Sequence, residues 1–131
     1  MPSTVHVTKS TELDTGTGQT EGMIRKGAIV GKSDKICASV MIAHPHSSSA
    51  IHHHGEQDTV VFASSGHGTI ISENGSKRQD LSPGDFALIP AWTEHQEVND
   101  GDEEVTWIIS RSGGTPVVVN LEGWGRGEKK G

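Results

Sequence analysis

The chain has 131 residues, 31% of them hydrophobic, and a formal net charge of -6 at pH 7. That length suits one domain with a single core, and the acidic balance, with Lys and Arg scattered, argues against nucleic-acid and anionic-membrane partners. Seventeen glycines favour many short strands joined by turns over a helical bundle.

No apolar run approaches the roughly 20 residues that span a bilayer. No charged-then-apolar leader opens the chain, so a soluble, cytoplasmic protein is expected. The single cysteine, Cys37, cannot form an intrachain disulfide. It sits in the strand-like run Ile36 to Ile42, where a free thiol is expected to be a buried structural group.

Residues 1–22 hold one short strand candidate, Val5-His6-Val7, and then a Thr/Gly/Glu-rich stretch without apolar periodicity. A flexible arm is expected there, with His6 facing solvent. Residues 23–31 read as a strand interrupted at Gly27, and Ser33-Asp34 turns the chain into the apolar run Ile36 to Ala43. His44-Pro45-His46-Ser47-Ser48-Ser49-Ala50 has the composition of a loop. Its two histidines could touch substrate or an accessory ion, but a polar surface loop is the preferred reading.

The stretch His52-His53-His54-Gly55-Glu56-Gln57-Asp58-Thr59 carries the chemistry. Alternate side chains of an extended strand share a face, so His52 and His54 can offer two imidazoles to one ion while His53 points away. Val60 to Ala63 continues as a strand that turns at Ser64-Ser65-Gly66. Thr69-Ile70-Ile71 and Glu73-Asn74-Gly75-Ser76 read as a hairpin, because Asn-Gly tolerates the positive φ of tight turns. Phe86 to Ile89 reads as a buried strand stopped by Pro90, and it leads to His95. Val105 to Ser110 is a further strand, broken at Gly113-Gly114-Thr115-Pro116. Val117 to Leu121 is apolar enough to need a partner surface. The expected organisation is an arm at 1–22, a domain at 23–122 and a tail at 123–131, with no internal repeat and no helix.

These residues resemble the cupin family. Its first motif, G-x5-H-x-H-x3/4-E-x6-G, is met by His52, His54 and Gly66, with His46 in place of the leading Gly and Thr59 in place of Glu. Its second, G-x5-P-x-G-x2-H-x3-N, is met by Gly84, Pro90, His95 and Asn99, with Trp92 in place of the inner Gly. The resemblance covers roughly residues 36 to 110 and implies an all-β jelly-roll barrel. It also implies pairing into a homodimer through outer strands, with Val117 to Leu121 and Trp124 as the piece that two subunits could share.

Carried over by position, the resemblance implies His52, His54 and His95 as ligands of one divalent transition metal ion. Thr59 leaves the carboxylate's place to water or to a neighbour, with Gln57 first, then Glu56 or Asp58. Glu56 could instead act as a base beside the ion, or be a solvated loop charge. Glu97 and Asn99 follow His95 at steps of two and share its face. Glu97 could orient a ligand histidine through its free N–H, and Asn99 reads as a strand-end hydrogen-bonder. Trp92 could wall the pocket or pack on the rim, and Asp85 makes the Pro-Gly-Asp turn. Imidazoles suit Fe, Mn, Ni, Cu or Zn.

The leading expectation is a small metal-dependent oxygenase, iron first among those metals, acting on a small enolisable, phenolic or thiol substrate. A non-redox isomerase, lyase or cyclase is the alternative, as is a cupin that only binds a small ligand. A Tyr-acid sugar epimerase is excluded, because the chain has no Tyr.

Overall fold

A computed structural model describes residues 4–15 and 22–128. Among them the chain forms twelve short strands and one 3-10 turn at Ser10–Glu12. In chain order the strands are β1 (Asp14–Thr15), β2 (Met23–Ile29), β3 (Ile36–Ala43), β4 (Ser47–Ser48), β5 (His52–His53), β6 (Thr59–Ser65), β7 (Gly68–Ser72), β8 (Lys77–Leu81), β9 (Phe86–Ile89), β10 (Gln96–Asn99), β11 (Val105–Ser112) and β12 (Val119–Asn120). They build a six-stranded sheet ordered β1-β2-β3-β11-β6-β9, a four-stranded sheet ordered β4-β10-β7-β8, and a β12-β5 ribbon. With β11 inserted between β3 and β6, this is the all-β jelly roll that the motifs imply. No helix among the described residues is long and apolar enough to cross a membrane.

Strict alternation on β3 and β11 turns Cys37, Ser39, Met41 and Ala43 inward against Val105, Trp107, Ile109 and Arg111. Thr59, Val61 and Ala63 of β6 complete the rows. Register sets Met41 beside Trp107 and Ala63, Ser39 beside Ile109 and Val61, and Cys37 beside Arg111 and Thr59. The Met41 and Trp107 row joins Met23, Ile70, Leu81 and Ile89 in the apolar core. The Arg111 row is polar, and it faces the histidines.

The turn between β7 and β8 forms as the Asn-Gly signal requires, with Glu73, Asn74 and Gly75 at φ 53°, 58° and 85°. Gly66 (φ 76°) is fixed by space as well, since a Cβ there would run into the Glu104 carbonyl and lie 2.9 Å from Val105 Cα. His46 and Trp92, which replace two motif glycines, keep the left-handed backbone at φ 58° and 65°. Each accepts a strain of about 1–2 kcal/mol for a non-glycine residue.

Three expectations change. Phe86 to Ile89 is an edge strand rather than a buried one: Phe86 and Leu88 are 70% and 66% exposed, and only Ile89 is fully covered. The described part of the N-terminal segment is docked, with β1 paired to β2 and the Thr8 hydroxyl donating to the Ala28 carbonyl at 2.8 Å. Val5 and Val7 are exposed and lie outside any strand. Residues 1–3 and 16–21 of that segment, and 129–131 of the tail, lie outside the described residues. Finally, Val119–Asn120 pairs with His52–His53 of its own chain, so the run expected to be shared between subunits closes this barrel instead.

Asn99 is the strand-end hydrogen-bonder expected. Its buried amide donates to the Ala43, His44 and Glu103 carbonyls at 3.1, 3.1 and 2.8 Å and accepts from the Gly101 N–H at 3.0 Å. One side chain thereby serves the end of β3 and the turn into β11. Replacing Asn99 by Ala orphans those buried groups, and urea denaturation is expected to register a loss of about 2–4 kcal/mol. A loss under about 0.5 kcal/mol, the range of a surface change, would contradict that role.

Candidate metal centre

The two motifs meet through the backbone. His52 donates to the His95 carbonyl at 3.0 Å and His95 donates back to the His52 carbonyl at 2.9 Å. Facing residues of an antiparallel pair put their side chains on the same side, and the two rings lie 4.3 Å apart. His54, one alternation further, sets its ring 4.9 Å from His52 and 5.0 Å from His95. His53 turns away onto Trp92, whose own side chain is largely exposed on the rim. The turn after His54 is held to the second motif by Trp92 N–H to the Gly55 carbonyl and by Ala91 N–H to the Asp58 carboxylate at 2.9 Å.

Each buried imidazole spends Nδ1 on a backbone carbonyl: His52 on Ala50 at 2.7 Å, His54 on Val117 at 2.8 Å and His95 on Thr93 at 3.0 Å. A carbonyl accepts only, so Nδ1 carries the proton in all three and each Nε2 presents a lone pair. Those lone pairs converge. His54 Nε2 lies 3.3 Å from His95 Nε2, and Glu97 Oε2 lies 2.9 Å from His52 Nε2 and 3.3 Å from His95 Nε2. The ligand atoms of His52, His54, His95 and Glu97 all fall within 4.8 Å of one another. His52 Nε2 and Glu97 Oε2 are buried and make no hydrogen bond among the described residues. Acceptors facing acceptors in a buried site repel unless a cation lies between them. Three imidazole nitrogens and one carboxylate around one point are a donor set that a divalent metal ion fits.

The surroundings are charged as well as buried. Glu97 receives an Arg25 N–H at 3.3 Å. Burial works to raise its carboxyl, yet His52 and His95, when protonated at Nε2 in place of a metal, outweigh that and hold it well below the usual carboxylate range. Burial, the Arg111 guanidinium and the neighbouring imidazoles push His54 down to about 3. Arg111 donates from Nε to the Thr59 hydroxyl at 3.2 Å, and its Nη2 lies 3.4 Å from His54 Nε2. Burial lowers the Arg111 pKa, with Glu97 opposing the shift; the group remains a cation. A cavity of about 720 Å³ opens onto His52 and is walled by Arg25, Arg111, Ser39 and Ser49.

His52, His54 and His95 are thus brought together, and Gln57 is not part of the cluster. Its amide donates to the Thr115 carbonyl at 2.7 Å and accepts from Val117 N–H at 2.8 Å, which pins the segment whose carbonyl orients His54. Glu56 is exposed in the turn, with no polar partner of its side chain among the described residues. Asp58 is spent on Ala91. Glu97, read from sequence as a residue that orients a ligand, instead brings its own oxygen into the cluster. The two-residue step from His95 was the available signal. His44 and His46 stay at the surface, where His46 pairs with Asp102 at 2.9 Å.

A cupin domain family model matches residues 39–110, more than half of the chain, and the protein belongs to that family. Gentisate 1,2 dioxygenase 1 of Aquipseudomonas alcaligenes is 34% identical over 56 residues, which are 43% of this chain and 16% of that protein. KdgF from Halomonas sp. superposes with a TM-score of 0.71 at 21% identity, over 84% of this chain and 94% of its own. The polyketide cyclase RemF from Streptomyces resistomycificus superposes with a TM-score of 0.72 at 17% identity, over 92% of this chain and 86% of its own.

The depressed His54 fixes the sign of one pH effect. Below about 6.5 the unfolded chain takes up a proton at this imidazole, which the folded chain refuses until about 3. Stability therefore falls as pH drops through that window. From pH 6 to pH 5 the metal-stripped protein should lose about 1 kcal/mol more than its His54→Asn variant, read by urea denaturation. Equal losses would contradict this environment for His54.

Proposed function

We propose that this cupin is a small metal-dependent oxygenase acting on a small phenolic or enolisable substrate. The observation that carries the metal reading is the facing of four buried acceptors, the His52, His54 and His95 Nε2 atoms and Glu97 Oε2. What favours an oxygenase is the similarity to a dioxygenase over 56 residues. These four residues would hold the ion, iron(II) first among the candidates, and the ion would supply Lewis acidity and electrons for oxygen chemistry.

The chain's own residues do the rest. The Ala50, Val117 and Thr93 carbonyls fix the three ring orientations. Arg25 holds the Glu97 carboxylate, and Ser49 Oγ accepts the Glu97 backbone N–H at 2.9 Å. Glu97 supplies the one negative charge in the donor set, so Thr59 at the family's carboxylate position does not leave the site without one.

His52→Ala should abolish stoichiometric iron in metal analysis. Glu97→Gln should weaken binding beyond the ~10- to 100-fold typical of losing an outer partner. Glu56→Gln and Gln57→Ala should keep the metal. Iron-loaded wild type should consume oxygen with one of a panel of dihydroxybenzoates and β-diketones, and His52→Ala should not. Full iron occupancy in His52→Ala would remove the metal reading; turnover without oxygen uptake would move the protein to a Lewis-acid isomerase or cyclase.

The same proposal includes a homodimer. Phe86, Leu88 and Val60 are exposed side by side, and Phe86 packs at a tilt against Phe62 with ring centroids 4.8 Å apart. Ile108 extends the patch across β11. An apolar sheet face of this kind marks an interaction surface. Sedimentation should give a dimer for the wild type and a monomer for the double variant Phe86→Asp, Leu88→Asp; a wild-type monomer would remove it.

A further inference from the structure

We infer that Arg111 is the anchor for a carboxylate group of the substrate, which makes the substrate a small hydroxy- or keto-carboxylic acid. The inference rests on the metal reading above and narrows it to a ligand class. Arg111 is 4% exposed and lines the cavity that opens onto His52. Its Nε is spent on Thr59, and its Nη2 contact is to His54 Nε2, a lone pair that a bound metal would take. Nη1 has no hydrogen-bond partner among the described residues, and it is not sealed from the cavity. A guanidinium has five N–H donors in a planar fork that matches a carboxylate, so the ion at the centre and the fork beside it can be met by two neighbouring oxygens of one small acid.

Charge points the same way. The Glu97 carboxylate is paired with Arg25 at 3.3 Å, and a divalent ion beside Arg111 would add two positive charges. Buried charge of one sign is costly without a partner, and no further carboxylate among the described residues contacts Arg111. The missing negative charge is the ligand's to bring. A second cavity of about 550 Å³ reaches His95 from another side and has no Lys or Arg in its walls, which include Glu73, Asp80 and Asp85. The first cavity's walls hold Arg25, Lys26, Lys32 and Arg111 against Glu12 and Asp14, so an anionic ligand favours the entrance by Arg111.

The test is calorimetric titration of the full chain with 2-hydroxybenzoate and with 2-hydroxybenzamide. It is run on Zn(II)-loaded protein and on protein stripped with EDTA and desalted. In the wild type the carboxylate should bind about tenfold or more tighter than the amide. In Arg111→Gln the preference should vanish while amide affinity changes less than about threefold. No preference in the wild type, or a preference kept in Arg111→Gln, overturns the inference. Should that variant fail to fold by circular dichroism, Arg111→Lys decides. It keeps the charge and loses the fork, so carboxylate affinity should fall about three- to tenfold or further, and unchanged affinity overturns the anchor. The two readings fail separately. A chain that takes up no metal yet prefers the carboxylate through Arg111 loses only the metal centre, and a chain that binds metal without the preference loses only the anchor.

Discussion

Everything in the site depends on one constraint: three buried imidazoles whose protons are all drawn outward to backbone carbonyls. Once Ala50, Val117 and Thr93 take the Nδ1 hydrogens, the Nε2 lone pairs have only one another and the Glu97 carboxylate to face. While the rings are neutral and the carboxylate is ionised, none of the cluster's members can donate to the next. A cation at its centre would turn the repulsion into binding. The carbonyls lie on three separate segments, so the site draws on the barrel's closure rather than on any one loop.

That closure explains why the C-terminal run crosses the first motif. Pairing of β12 with β5 brings the Val117 carbonyl to His54, and the Gln57 amide grips the same segment from the other side through Thr115 and Val117. A neutral amide in that place does structural work that a carboxylate could not, since it must both donate and accept. The antiparallel exchange between His52 and His95 then fixes the third ring. The geometry of the cluster is thus a consequence of strand register, in which a slip of one residue would send every side chain to the opposite face.

Much of this was legible in the sequence, and the parts that were not have a common cause. The β-strand alternation of Ile36 to Ala43 and Val105 to Ser110, the Asn-Gly hairpin and the convergence of the histidines follow from local rules, period two and turn chemistry. Glu97 was assigned to the right face, but behind a ligand ring rather than with its own oxygen among the ring nitrogens. Whether a carboxylate two residues from His95 lies behind the ring or beside it depends on side-chain direction, which spacing does not carry. Gln57 and Glu56 follow a turn at Gly55, where the period-two argument stops. Phe86 to Ile89 looked buried because apolar composition does not distinguish a central strand from an edge strand whose outer face is bare. The docking of β1 on β2 is long-range pairing with no apolar signature of its own.

The departures from the family motif form a consistent set. His46 and Trp92 keep the left-handed backbone of the glycines they replace, so they alter surface chemistry and leave the trace intact. Thr59 differs in kind, because it exchanges a charge for a hydroxyl at a buried position. A carboxylate on β6 would lie against Arg111 and neutralise it; the Thr59 hydroxyl accepts from Nε and leaves the guanidinium without a contacting carboxylate among the described residues. The negative charge is instead on β10 at Glu97, where Arg25 holds it. With the carboxylate on β10 and a hydroxyl on β6, one anionic group faces the histidines and a cation stands beside the cavity. Two residues that look unrelated in sequence, Thr59 on one strand and Glu97 on another, therefore act together on the charge beside the cavity.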